Sequence, residues 1–223
     1  MRRKKKTAKQ RHHSSAGYMH FFPDETHVAR ENLQMSKEAI YSVTKPAKAL
    51  RIKQILTRHL HQIGKQSTDC VITDATACVG GDTLSFATYF KKVHAVELNP
   101  THFSMLNNNI SVYDRKNVDV FLGDYVNIMH TLHQDVVFID PPWGGPSYKH
   151  KHNVKLKLSN TPIYKVIQYL RNHVSMVVLK TPVNFDINSI FEYTSFKTKN
   201  PHYQTIHVYH LVNMLIIVLI TKV

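Results

Sequence analysis

Only two cysteines, Cys70 and Cys78, occur in 223 residues. They are too few for a disulfide framework, and their spacing is not that of a CxxC zinc site. An intracellular, reducing compartment is therefore expected, and no metal. The longest apolar run, Met214 to Ile220, is seven residues, roughly a third of what a membrane span needs, so it reads as a buried strand and no membrane partner is expected. The basic N-terminus has no apolar segment behind it, unlike a secretory signal. Glycine is sparse, seven in all, and none falls in the G-x-G-x-x-G spacing that presents backbone amides to a pyrophosphate, which counts against a nicotinamide enzyme. Acid is scarce as well: 15 Asp and Glu face 29 Lys and Arg, a formal charge of +14. Such a field draws phosphate-bearing polyanions.

The positive charge is unevenly spread. Residues 1 to 15, MRRKKKTAKQRHHSS, hold seven Lys or Arg and no acid. With almost nothing apolar to bury, residues 1–16 are expected to be a disordered basic tail. Its RRKKK run suits a nuclear address or a nucleic-acid arm equally well, and a plain solvated tail too, so nucleus and cytoplasm both stay open. A second surplus lies between residues 141 and 185, with seven Lys or Arg and no acid.

Residues 17–64 form a helical N-terminal extension in this reading. Asp24 to Ser36 is polar with helical character, and Thr44 suits an N-cap with Pro46 in the first turn. Ala49, Ile52, Ile55, Leu56, Leu60 and Ile63 then recur at helical spacing until Gly64. From residue 65 to 223 short apolar runs alternate with helical patterns. The strands are Cys70 to Asp74, Val93 to Glu97, Val118 to Phe121, Val136 to Asp140 and Met176 to Leu179. The helices are Leu84 to Phe90, Pro100 to Tyr113, Val126 to His133 and Thr161 to Leu170. This alternation predicts βαβ units and a doubly wound, mostly parallel α/β sheet. Phe196 to Lys199 and Thr205 to Lys222, with only NPHYQ between them, predict an antiparallel pair at one edge.

Ligands of such sheets bind outside the carboxyl ends of the strands, and the side chains there are Asp74, Glu97, Asp124 and Asp140. One acid at a strand end is often only a helix cap. Four in succession indicate a site. The first leads into DATACVGGDT, a turn that opens a helix and lets a ligand approach the backbone. Glu97 is placed to take ribose hydroxyls, and Asp124 to accept from an adenine amino group. Ribose and adenine without a phosphate grip point to S-adenosylmethionine. After the fourth strand comes DPPWGGPSYKHKH, Asp140 to His152, with the only tryptophan of the chain. Two prolines fix φ behind Asp140, so its carboxylate and the Pro141 carbonyl become acceptors at set positions, suited to an exocyclic NH₂. Trp143 offers a stacking face worth roughly 1 to 3 kcal/mol per base. His150 and His152 form an HxH pair that could suggest a metal, but without further ligands such a pair reads as surface histidine.

These motifs resemble those of the trimethylguanosine synthase family, cap-specific guanine-N2 RNA methyltransferases. DPPWGGPSY is similar to its PPWGGP-Y loop, DATACVGGDTLSFA to its D-A-x-x-G-V-G-G-N-T-x-x-F-A loop, and SKEAIYSVT, Ser36 to Thr44, to the segment before its first core helix. The resemblance spans about Gly17 to Thr181. It implies a Rossmann-like domain with a seven-stranded, mostly parallel sheet, an antiparallel edge strand and a small N-terminal extension. It implies S-adenosylmethionine held at Thr44, Asp74, Ala75, Gly80, Glu97, Asp124 and Tyr125. Asp140, Pro141 and Trp143 become the catalytic set, and Trp143, Pro146, Tyr148 and Lys149 the contacts to capped RNA, while protein partners stay open. A 7-methylguanine is cationic, so stacking on Trp143 gains about 0.5 to 2 kcal/mol of cation–π energy. Three departures stand out: Cys78 replaces a family glycine, Asp140 stands where animal-type relatives have Ser, and KTPVN lacks an Arg found near there in many relatives. Lys149, Lys151 or Lys155 would then grip the cap phosphates. Methylation of adenine N6 or internal guanine N2 in RNA or DNA, and an inactive RNA-binding relative, are the competing expectations.

Overall fold

The computed structural model describes residues 17–193 and 203–221. A short helix α1 (Ala39–Ser42) and the long α2 (Pro46–Gln62) precede β1 (Val71–Asp74), α3 (Gly81–Phe86), β2 (Lys92–Glu97), α4 (Pro100–Val112) and β3 (Val118–Leu122). Then come α5 (Tyr125–Ile128), β4 (Val136–Ile139), a two-stranded hairpin of β5 (Lys157–Leu158) and β6 (Thr161–Pro162), and α6 (Ile163–Leu170). The chain finishes with β7 (Met176–Pro182), α7 (Asn188–Tyr193), β8 (Tyr203–Leu211) and β9 (Met214–Thr221).

Seven strands form one sheet in the order β3-β2-β1-β4-β7-β9-β8. The first five are parallel, while β9 runs antiparallel to both β7 and β8. The reversed strand is thus inserted one place in from the edge. Alternation along each strand supplies both faces of the core. Val136, Phe138, Met176, Val178, Ile216 and Val218 meet Ile52, Leu56 and Leu60 of α2 on one side. Val137, Ile139, Val177, Leu179, Ile217 and Leu219 meet α6 and its surroundings on the other. The first three strands proceed outward in one direction, and the chain then returns to the far side of β1 to lay down β4. The topological switch, where such sheets open a crevice, therefore lies between the ends of β1 and β4. Asp74 and Asp140 flank it.

Several boundaries differ from the sequence reading. Asp24 to Ser36 contains a single 3-10 turn, Arg30–Asn32, rather than a helix, and this stretch gains order by packing Val28 and Leu33 with residues of α4. Thr44 does not cap α2: Lys45 holds the cap position, without a side-chain bond, and Pro46 opens the helix. The helix after Asp124 stops at Ile128. The antiparallel pair is β8 with β9, joined by a turn at Val212, whose φ of 61° is uncommon for a β-branched residue and left no Gly or Pro to mark it. The expected strand Phe196 to Lys199 and the basic tail, residues 1–16, lie outside the described residues.

Candidate active site

The first three strand-end acids are held within the loops after β1, β2 and β3. Glu97 accepts from the Asn99 amide at 2.7 Å and from the Cys78 amide at 2.8 Å. Cys78 can turn its N–H there because it sits at φ 50°, the left-handed region that explains a glycine in related loops. The departure to cysteine is therefore accommodated in place, and burial with the nearby Glu97 pushes the thiol up to about 12. Asp124 caps α5, its Oδ1 accepting from Val126 N at 3.0 Å. Leu98 and Leu122, beside these two acids, stay 60% and 52% exposed, apolar walls suited to a flat ring. Tyr125 does not join them: it is buried in the core with its hydroxyl on Gln134. Ala75 is buried, its amide donating to Phe138 O, and Gly80, at φ 101°, could not take a Cβ without crowding Leu106.

Asp74 lies deeper. Its Oδ2 accepts from the Thr83 hydroxyl at 2.7 Å and its Oδ1 from the Thr76 amide. Burial, with Asp82 adding repulsion, raises it to about 7. The same Thr76 reaches across to β4, its hydroxyl accepting from Asp140 N at 2.9 Å, so the first and fourth strand ends are tied directly.

On the acceptor side the prolines separate cleanly, Pro141 buried and Pro142 exposed. Gly144 and Gly145 both take positive φ, 92° and 66°, with nothing within 4 Å of a Cβ built on either, so the turn needs both glycines and leaves open space beside Trp143. Trp143 is half-buried and meets the Tyr148 ring edge-on at 5.2 Å. It is neither a core residue nor a loose one. Pro146 and Lys149 are exposed on the 3-10 turn that follows, as are His150, Lys151 and His152. Asn184, at the end of KTPVN, donates to the carbonyls of Tyr148 and Lys151 at 2.8 and 2.7 Å and fastens this loop to the fifth parallel strand.

Besides Asn184, two residues were missed by sequence reasoning. Lys180, in the middle of β7, is only 2% exposed. Its Nζ donates to Asp140 Oδ2 at 2.5 Å and to Thr44 Oγ1 at 2.8 Å, and lies 5.9 Å from the centre of the Trp143 ring. Asp82, on α3, accepts from the Thr44 hydroxyl at 2.6 Å. The available signal was a lysine inside the apolar strand MVVLKTP, since a buried lysine needs a partner. Burial raises Asp140 to about 6, with Lys180 holding it lower than burial alone would. Burial opposes the charge on Lys180, yet Asp140 and Asp82 outweigh it and hold the ammonium above its ordinary value. Three buried carboxylates thus face one buried ammonium. A cationic ligand beside them would favour their ionised forms. Among the described residues no group of three or more His, Cys, Asp or Glu is placed to hold a metal ion, and no helix is long and apolar enough to cross a membrane.

A family model described as RNA cap guanine-N2 methyltransferase matches residues 69–220. The chain is 34% identical over 200 residues to uncharacterized protein L320 of Acanthamoeba polyphaga mimivirus, covering 80% of this chain and 78% of that protein. It is 27% identical over 177 residues to the trimethylguanosine synthase of Schizosaccharomyces pombe, covering 76% and 71% of the two chains. Among solved structures, the Thermus thermophilus 16S rRNA N2 G1207 methyltransferase, in complex with AdoMet and guanosine, superposes with a TM-score of 0.59 at 13% identity. That match covers 80% of this chain and 44% of that one.

Proposed function

The chain belongs to the family of RNA cap guanine-N2 methyltransferases, and on that premise we propose that it methylates the exocyclic N2 of a 7-methylguanosine RNA cap, with S-adenosylmethionine as donor. The observation that carries this reading is a half-buried tryptophan on a proline-fixed loop directly beside a strand-end carboxylate at the topological switch. The residues present fit the cofactor. The buried carboxylates of Asp74, Asp82 and Asp140 would suit a sulfonium and an α-ammonium group, Glu97, braced by two amides, would take ribose hydroxyls, and exposed Leu98 and Leu122 would flank an adenine. When bound, that cofactor supplies an electrophilic methyl on a sulfonium, which is left as a neutral thioether when the amine takes the methyl.

The chain's own part is alignment and charge stabilisation. Asp140 and the Pro141 carbonyl accept from the two hydrogens of the NH₂ and favour the positive charge that grows on nitrogen. Trp143 holds the base flat, and a base made cationic at N7 binds its face more strongly than a neutral one. Exposed Lys149, Lys151 and Lys155 border the same loop and suit the cap phosphates. Methylation of adenine N6 is the second reading, favoured by the carboxylate at Asp140, where animal-type relatives have Ser. Competition separates the two. Free 7-methylated cap dinucleotide should inhibit transfer to capped RNA at concentrations where unmethylated GpppG does not, and absence of inhibition by either would favour an internal base.

A further inference from the structure

Lys180 is the buried group that the proposed chemistry leaves unused. Its side chain is 3% exposed against 15% for Asp140, so the pair is closed on the lysine side and open on the other. The ammonium occupies Oδ2 of Asp140, and the Trp143 side chain is the other hydrogen-bonding group beside this carboxylate. A second hydrogen bond to Thr44 Oγ1 and a longer one of 3.4 Å to the Ser42 carbonyl reach the segment between α1 and α2. That segment is 136 residues away in sequence. Thr44 passes the contact on, donating to Asp82 on the cofactor-side helix.

We propose that Lys180 is a positioning residue for methyl transfer: bound to Oδ2 of Asp140, it keeps that carboxylate ionised and joins the acceptor loop to the N-terminal extension through Thr44. The physical need is specific. A protonated Asp140 would present a donor where the NH₂ needs an acceptor, and the surroundings push it that way. The charged and titratable groups facing the pair are Asp74 at the end of β1, Asp82 on α3, the Cys78 thiol in the loop between them, and Lys48 on α2, besides the Trp143 ring. Asp82 and burial disfavour a second negative charge, and Lys180 opposes both. The pair is also neutral as a whole. A cationic base on Trp143 therefore meets no net repulsion from an ammonium 5.9 Å from that ring.

The inference rests on Asp140 facing the acceptor amine, and its test is chosen to be read without any acceptor. Carboxyl ¹³C NMR of wild type and Lys180→Met, both without substrate, should show the Asp140 titration midpoint higher by about one pH unit or more in the variant; the same midpoint in both overturns the proposal. In turnover, Lys180→Met should lose about threefold or more in kcat near pH 6.5 and recover at higher pH as Asp140 ionises, with the cofactor KM little changed. Lys180→Arg should restore part of the acid-side rate. A loss equal at every pH would mean a purely structural role. Should Lys180→Met not fold, Asp140→Asn in the presence of native Lys180 decides: its residual rate must lack the acid limb of the wild-type profile, and an unchanged limb overturns the proposal. Normal Lys180-dependent titration without transfer to any cap would instead sink only the substrate assignment.

Discussion

The two halves of the strand-end row hold their acids in different ways. On the cofactor side, Glu97 is fixed by amides two residues after and nineteen residues before it, Asp124 by an amide two residues on, and Asp74 by Thr76 and Thr83. On the acceptor side, Asp140 is fixed by a lysine 40 residues away, which is itself bound to a threonine 136 residues away. Backbone amides, with the Thr83 hydroxyl on Asp74, fix these carboxylates from the loops at the strand ends. A long-range ion pair makes a carboxylate whose charge depends on the assembled fold. Glu97 and Asp124 are thus held mainly by backbone amides, whereas the charge of Asp140 is set by a buried lysine.

Substitutions can break that comparison. The largest effect is expected at Asp140: Asp140→Ala should lower kcat by about 10²- to 10³-fold, the cost of removing one preorganised acceptor from a transition state, with cofactor affinity nearly kept. Glu97→Ala should do the reverse. It leaves the Asn99 and Cys78 amides without their acceptor and should raise the cofactor dissociation constant by about ten- to a hundredfold, with a smaller change in kcat. Isothermal titration of cofactor and single-turnover rates would check both, and equal losses in both parameters for both variants would erase the distinction between the halves.

A smaller effect concerns pH. Asp74 at about 7 and Asp140 at about 6 lie above the ordinary carboxylate value in the folded chain, so the native state holds more protons than the unfolded state between about pH 4 and 7. These two groups should accordingly contribute stability that is lost as pH rises through that window, against an opposite slope from His59 and His94, whose burial holds their imidazoles below the ordinary value. Asp74→Asn should flatten part of this slope in thermal melts, and a slope unchanged by it would refute the burial account of Asp74. The smallest effect is expected at Cys78. Cys78→Gly relieves a left-handed non-glycine residue and should stabilise the chain by about 1 kcal/mol, with cofactor binding equal or slightly tighter; a loss of stability would mean that the thiol packs better than the strain costs.

The same division decides what was legible in the sequence. Asp74, Glu97, Asp124 and Asp140 are visible because a strand end is a local property, marked where an apolar run stops. The parallel sheet follows from alternating periodicities, and the WGGP turn from its glycines and prolines. Lys180, Asp82 and Asn184 were not visible, because each acts on a partner brought near only by the sheet. Thr44 shows both sides. Its proximity to the cofactor half was inferred from family resemblance, whereas its residue type suggested a helix cap, and the fold uses its hydroxyl for Asp82 and Lys180 instead. The β8–β9 turn escaped notice because Val212 adopts a backbone conformation that its side chain normally disfavours.

The central claim is that Trp143 and Asp140 together present a cationic guanine for methylation at N2. Isotopically labelled methyl donor, offered with 7-methyl-GpppG, GpppG and an adenine-containing oligonucleotide, followed by mass and position analysis of the product, tests it most directly. The account predicts label on N2 of the 7-methylated cap alone, lost in Trp143→Ala. Transfer to unmethylated GpppG at an equal rate, or label on adenine N6, would contradict it.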